Sequence, residues 1–157
     1  MKKKINTSQS RPIIQKATLS DINALDQLEQ VCFSSDRLQR PQIKFLIMAK
    51  HATIYLAILD KQTAASAIIL SHHRLKLARL YSFAVHPKFQ SQGIGSFLLE
   101  FVELQLKNSA KELRLEVSKV NKKAFNFYKK NGYRIFARFK KFFEDGNDDW
   151  RLNKYLP

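Results

Sequence analysis

The sequence predicts a mixed α/β sheet, mostly antiparallel, with one parallel crossover and helices on both faces. Three observations predict it. Short runs rich in β-branched and aromatic residues recur along the chain, several bounded by turn residues. Between some of them lie stretches whose apolar residues fall three and four apart, the period of a helix face. One such stretch, residues 93–109, joins two strand-like runs, and a helix in that position requires the strands it connects to lie parallel.

Taken in order, "PIIQKAT" reads as a first strand. "SDINALDQLEQVCF" places Ile22, Leu25, Leu28, Val31 and Cys32 on one helical face, with Ser20 as the expected N-cap. A second helix is expected from Pro41, in the first turn where proline is tolerated, through Ile43, Leu46, Ile47 and Lys50. Three strands follow in "TIYLAILD", "AASAIIL" and "ARLYSFAV". Asp60, Lys61 and Gln62 form a tight turn between the first two, so those two are expected to pair antiparallel. In "GIGSFLLEFVELQLKNS", Ile94, Phe97, Leu98, Phe101, Val102 and Leu104 make a third helix. "ELRLEVS" alternates Leu113, Leu115 and Val117 against Arg114, Glu116 and Ser118, a strand with one buried face. "KKAFNFYKKN" is a fourth helix, stopped by Gly132 as a left-handed C-terminal residue. "YRIFARFKKFF" and "WRLNKYL" are two last strands around the turn "EDGND".

Composition narrows the class. Of 157 residues 45% are hydrophobic and twelve are Phe, enough for a packed core. Residues 1–12 read as a flexible basic leader, and 13–157 as a single domain. The leader has no apolar region behind its lysines and is not a signal peptide. No run approaches the roughly 18 apolar residues of a membrane helix, so no membrane partner is expected. The single Cys32 excludes an internal disulfide and reads as a core thiol. A soluble, cytoplasmic protein is expected. His51, His72, His73 and His86 lack metal-ligand spacing with cysteine or carboxylate, so no metal site is expected. With 28 Lys and Arg against 13 Asp and Glu, the net charge is +15, which favours anionic partners. Nine of those bases lie between Val117 and Phe143 with no acid among them, and four acids follow at Glu144, Asp145, Asp148 and Asp149.

The segment "AVHPKFQSQGIGSFLLEF" carries the chemistry. A strand leaves through His86 and Pro87 and enters a helix near Gly93. A helix N-terminus presents unpaired N–H groups and about half a positive charge, a ready phosphate site. Glycines at 93 and 95 let a large anion reach the main chain, and Gln90 adds an amide at the entrance. A plain strand-to-helix turn is the competing explanation of the glycines. The segment is not a P-loop, since no Gly-Lys-Ser/Thr follows. Leu98 stands where a dinucleotide fingerprint needs its third glycine.

"LYSFAVHPKFQSQGIGSFLLEFVE" resembles the acetyl-coenzyme A motif of the GCN5-related N-acetyltransferase (GNAT) superfamily, and the order of elements is similar to that fold. The resemblance runs from about residue 13 to the C-terminus and is weakest over the first two helices. It implies acetyl-CoA as cosubstrate, with its pyrophosphate at Ser91, Gln92, Gly93, Ile94, Gly95 and Ser96 and its pantetheine arm along Phe83, Ala84 and Val85. "LEVSKVNKKAFNFYKKNGY" is similar to the corresponding segment of the ribosomal-protein-alanine N-acetyltransferases, as is the ending "FFEDGNDDWRLNKYL". By position that resemblance implies Glu116 as general base, Tyr128 as general acid and Asn121 as a cofactor contact, and the superfamily implies the Val85 N–H as oxyanion donor. Several residues depart from the pattern. Ser91 replaces a basic residue beside the phosphates, leaving Lys88 or Lys119 to supply the charge. Ser118, Val120, Phe142, Phe143 and Asp149 also differ, the last three where the peptide site is shaped.

Acyl transfer from a thioester to an amine needs a base for the ammonium, a donor for the oxyanion and an acid for the thiolate. Burial on a strand beside the crossover is the expected route by which Glu116 becomes a useful base, with water as a possible intermediary. Its competing role is an ion pair with Arg114 or a neighbouring lysine. For Tyr128, three residues after Phe125, the competing role is an aromatic core stripe. The expected function is acetyl-CoA-dependent acetyl transfer to a primary amine, favouring protein or peptide N-terminal α-amino groups. Lysine side chains or small-molecule amines are the alternative acceptors. A basic nucleic-acid-associated module on the same fold is the alternative class. The basic stripe has three readings, a solvated face, help for the coenzyme's phosphates, or a surface that holds the enzyme near RNA or the ribosome, and the acids from Glu144 to Asp149 are candidates for docking the ammonium.

Overall fold

The computed structural model describes residues 11–140 and 148–157. Most of the basic leader therefore lies outside the described residues, as do Phe142, Phe143, Glu144 and Asp145. The described elements run β1 (Ile13–Lys16), α1 (Ile22–Cys32), α2 (Arg40–Met48), β2 (Ala52–Leu59), β3 (Gln62–His72), β4 (Leu77–Val85), α3 (Ile94–Leu106), β5 (Glu112–Ser118), α4 (Lys122–Lys130), β6 (Arg134–Phe139) and β7 (Asp149–Tyr155). The strands form one sheet in the order β1-β2-β3-β4-β5-β7-β6. Every pair is antiparallel except β4 and β5, which α3 connects. The expected mixed sheet is present, with one detail that sequence order concealed: β7 lies between β5 and β6.

Local chemistry accounts for the boundaries. The β2–β3 hairpin turns on Asp60 and Lys61, both at positive φ (49° and 62°), the left-handed pair that a tight two-residue hairpin demands. Before α1 stands a short 3-10 turn, Leu19–Asp21, and the expected cap at Ser20 is not used. Instead the Asp21 carboxylate accepts from the Thr18 N–H at 2.8 Å, while the Ser20 and Thr18 hydroxyls pair at 2.8 Å. Gly132 follows α4 at φ 92°, the conformation expected of it.

Two cores lie on opposite faces of the sheet. One packs Ile94, Leu98, Leu99 and Val102 of α3 and Tyr128 of α4 on Leu113, Leu115, Val117 and Leu152. The other packs Leu25 of α1 and Ile43 and Leu46 of α2 on Ile54, Leu56 and Ile68. The α1–α2 connection is tied down by a buried carboxylate. Glu29 is 4% exposed; its Oε2 accepts from the Leu38 N–H at 3.0 Å and its Oε1 from the Ser82 hydroxyl at 3.4 Å. Burial raises this carboxyl above its usual range, by more than the two hydrogen bonds lower it.

The feature that positions the site is the end of one strand pairing. β4 and β5 pair only over Leu77–Arg79 with Glu112–Arg114. Beyond that, β4 stays with β3 and β5 with β7. Tyr81 is an extra residue in β4: Ile69 pairs with Leu80 and Ile68 with Ser82. A bulge of this kind bends and twists its strand, and the sheet opens between β4 and β5.

Truncating Leu152, fully buried on the inserted strand β7, to Ala is expected to cost about 2–5 kcal/mol, read as a lower denaturant midpoint at unchanged m-value. Glu29 makes a pH-dependent contribution. With its folded value raised, the native state binds more protons than the unfolded chain in the window above the ordinary carboxylate range. Stability is therefore full below that range and falls as pH rises through the raised value. Glu29→Gln removes this fall, so its stability relative to wild type should climb as pH rises above the ordinary carboxylate range. A difference that stays flat with pH would contradict the assignment.

Candidate active site

The loop after β4 is built to expose a helix end. The His86 Nδ1 accepts from the Lys88 N–H at 3.1 Å, Pro87–Phe89 make a 3-10 turn, and Phe89 is buried beneath it. Ser91 (φ 63°) and Gly93 (φ 81°) then reverse the chain into α3. The Phe97 N–H bonds the Gly93 carbonyl at 3.0 Å, so the N–H groups of Ile94, Gly95 and Ser96 have no intrahelical acceptor. The two glycines do different jobs. Gly93 has open space at its missing Cβ but needs its positive φ. At Gly95 a Cβ would meet the Phe127 ring at 3.3 Å and Val85 Cγ2 at 3.4 Å. Gly95 thus serves close packing of α3 against α4 and β4 as much as access for an anion.

A cleft of about 560 Å³ opens in front of this helix end, lined among others by Phe83, Val85, Ser91, Gly93, Gly95, Ser96, Asn121 and Tyr128. Ala84 and Ile94 put their side chains into the interior, and the Gln92 amide donates to the Lys88 carbonyl at 3.3 Å. Lys88 and Lys119, expected to supply charge beside the phosphates, are not among the residues lining this cleft. Lys123 and Lys130 of α4 line the cleft. Lys119 lies over the Trp150 ring at 4.2 Å and pairs with Asp148 at 3.5 Å, while Lys88 lies over Phe89 at 5.7 Å. Gln90 braces the entrance: its Nε2 donates to the Val85 carbonyl at 3.1 Å and its Oε1 accepts from Lys123 at 2.6 Å. The Cys32 thiol also approaches the Val85 carbonyl, at 3.4 Å, and burial pushes it up to about 11. It is therefore an un-ionised thiol near neutral pH.

A second cleft of about 620 Å³ lies toward α1. It shares Phe83, Asn121, Ala124 and Tyr128 with the first. Tyr128 is thus at the junction. Its ring packs on Phe127, Tyr133 and Phe83 with centroids 5.2, 5.8 and 6.3 Å apart, so the aromatic stripe is real as well. Its hydroxyl makes no hydrogen bond among the described residues, and burial raises the phenol well above its usual range, which keeps its proton in place at neutral pH. Asn121 caps α4, its Oδ1 accepting from the Ala124 N–H at 3.1 Å.

Glu116 lines the second cleft but is not deeply buried: its side chain keeps 26% exposure. Oε1 lies 3.3 Å from Arg151 Nε and Oε2 3.6 Å from Arg79 Nη2. The ion pair anticipated with Arg114 is not formed, because Arg114 binds Glu112 through two contacts of 2.8 and 3.2 Å. Strand register decides this: β7 sets Arg151 directly opposite Glu116, on the same face. Glu29 and Asp149 also line this cleft, both buried. Sequence reasoning passed over Glu29, although a carboxylate four residues after Leu25 and three before Cys32, inside an apolar helical face, was a visible signal. Asp148, outside this cleft, is paired with Arg138 and Lys119.

Comparison with known proteins agrees with this architecture. The profile of the acetyltransferase (GNAT) domain matches residues 50–135, more than half the chain. The uncharacterized N-acetyltransferase MJ1530 of Methanocaldococcus jannaschii is 29% identical over 147 residues, covering 92% of each chain. The uncharacterized N-acetyltransferase ycf52 of Porphyra purpurea is 25% identical over 114 residues, 69% of this chain, and the matched region spans 64% of that protein's length. In three dimensions the chain is similar to the ribosomal-protein-S18-alanine N-acetyltransferase of Escherichia coli, with a TM-score of 0.82 at 23% identity over 92% of this chain and 94% of that one, a likeness of fold. With a split sheet, a bared helix end and a matching domain profile, this chain belongs to the GNAT acetyltransferase family.

Proposed function

We propose that this protein transfers the acetyl group of acetyl-CoA to the N-terminal α-amino group of a protein or peptide. The observation that carries the reading is the pair of clefts meeting at Tyr128 where β4 and β5 part. One cleft ends at free backbone N–H groups and two lysines, a setting for phosphates. The other holds carboxylates, a setting for an ammonium. When bound, acetyl-CoA supplies the acetyl group as a thioester, with the sulfur as leaving group.

The chain's own groups divide the remaining work. The N–H groups of Ile94, Gly95 and Ser96, with Lys123 and Lys130, hold the phosphates, and the unpaired edge of β4 from Phe83 to Val85 holds the arm. Asn121 contacts the cofactor from the start of α4. The Glu116 carboxylate accepts the proton of the incoming ammonium, with Arg79 and Arg151 fixing its orientation. The Tyr128 hydroxyl, protonated at neutral pH, gives its proton to the departing sulfur. The Val85 N–H is the donor to the developing oxyanion. The choice of an α-amine acceptor is supported by the segment 115–133 and by likeness to the E. coli enzyme, whose name specifies an alanine of ribosomal protein S18. A cytoplasmic site of action is part of the same reading.

Coenzyme A release should be seen with lysine-free peptides bearing free N-termini and not with N-blocked peptides carrying internal lysines. Turnover on the second set alone would make lysine the acceptor, and silence on both with acetyl-CoA still bound would point to small amines. RNA binding with steep salt dependence, in a protein without affinity for acetyl-CoA, would replace an enzyme with a nucleic-acid-binding module. Tyr128→Phe and Glu116→Gln should each lower kcat by about a hundredfold or more with acetyl-CoA affinity retained. Full kcat in either variant would remove that residue from the chemistry.

A further inference from the structure

Beside the second cleft, on the same face of the sheet, three guanidinium groups stand together. Arg79 on β4 and Arg114 on β5 are direct partners in the parallel register, and Arg151 on β7 is the direct partner of Glu116. They line a smaller cavity of about 190 Å³ that shares Leu115 and Glu116 with the second cleft. Arg79 and Arg114 are like charges directly opposite each other across strands, a pairing that opposes folding. Among the described residues the carboxylates paired with these three arginines are Glu112, taken by Arg114, and Glu116, shared by Arg79 and Arg151.

The guanidinia are also held in place with donors to spare. Arg114 lies over the Phe136 ring at 5.0 Å, Arg151 over Phe139 at 4.7 Å and Arg79 over Tyr81 at 5.7 Å. Stacking of this kind fixes the plane of the fork and leaves its edge open for hydrogen bonds. Their side chains keep between 40% and 48% exposure, so the edges reach solvent. Glu112 engages two of the five N–H donors of Arg114. The Arg151 Nε is buried and makes no hydrogen bond among the described residues, its 3.3 Å approach to Glu116 being an ion pair without hydrogen-bond alignment.

We infer that this arginine face binds acidic side chains at positions two to four of the acceptor peptide, counted from the residue whose amine is acetylated. The inference rests on the α-amine reading above and adds the class of acceptor to it. Arg114 lies two residues from Glu116 along β5, about 7 Å, and an extended peptide advances about the same distance in two residues. An acceptor whose amine is near Glu116 and whose chain runs along β5 toward Glu112 presents its next few side chains to Arg79 and Arg114. The net charge of +15 favours the approach of an acidic segment.

The test uses three lysine-free peptides with one free N-terminal residue, followed by Glu, Gln or Arg at positions two to four. At low ionic strength kcat/KM should favour the Glu peptide over the Gln peptide by about tenfold, chiefly through KM, and the gap should narrow with added salt. Arg114→Gln should bring the ratio toward one, and Arg114→Glu should reverse the order in favour of the Arg peptide, with acetyl-CoA affinity reporting that the protein is folded. Equal turnover of all three peptides overturns this inference alone. So does an order that Arg114→Glu leaves unchanged, or inhibition by a short RNA with no discrimination between peptides, which would assign the face to nucleic acid. Silence on every peptide overturns the α-amine reading and this inference with it.

Discussion

The pairing between β4 and β5 lasts three residues and stops, and most of what makes a site here follows from that stop. A parallel pair continued to its end would hydrogen-bond the edge of β4 and fill the space in front of α3. Instead the extra residue at Tyr81 turns β4 away while β5 keeps its register with β7 through Ser118. Backbone groups that a continuous sheet would satisfy are left facing a cleft, a cost that a structure sustains where a ligand or water takes their place.

Around the opening, each element contributes its polar end. α3 brings its uncapped N-terminus, because Gly93 at φ 81° starts the helix without a capping side chain. α4 brings Asn121, which caps its own first turn, and the two lysines that flank the cleft. α1 brings Glu29, which ties the α1–α2 connection to the helix and reaches Ser82 on β4 with the same carboxylate. The helices would otherwise be interchangeable packing for a sheet. What distinguishes them is which charged or hydrogen-bonding group each aims at the gap.

The two faces of the sheet are chemically unlike past the opening. On the α3 and α4 side, Phe83, Phe127, Tyr128 and Tyr133 pack ring to ring, and Tyr133 closes the cluster by donating to Glu103 at 2.9 Å. Such packing holds the Tyr128 hydroxyl in one place while burial keeps it protonated. On the α1 side, β4, β5 and β7 present arginines stacked on aromatic rings, paired with the glutamates of β5. Glu116 belongs to this charged face and Tyr128 to the apolar one, and the gap between β4 and β5 is where the two faces communicate.

By itself the sequence determined the elements, their order and the parallel crossover, since periodicity, turn residues and a helix between two strands are local properties. It also located the exposed helix end, at the two glycines between a strand and an amphipathic helix. The strand order remained undetermined: "YRIFARFKKFF" and "WRLNKYL" are both good strands, and only packing puts β7 against β5. That placement decided the environment of Glu116, whose partners are Arg151 and Arg79 and not the adjacent Arg114. It fell to tertiary structure to bring Lys123 and Lys130, and not Lys88 or Lys119, to the lining of the cleft, since all four are equivalent in composition and differ in which surface their backbone faces. Glu29 sits between these cases: the sequence displayed a carboxylate inside an apolar helix face, but only the fold, by placing Leu38 and Ser82 within its reach, supplied the reason for it. Local pattern follows from the chain's own stereochemistry, whereas a side chain's partner depends on contacts between segments far apart in sequence.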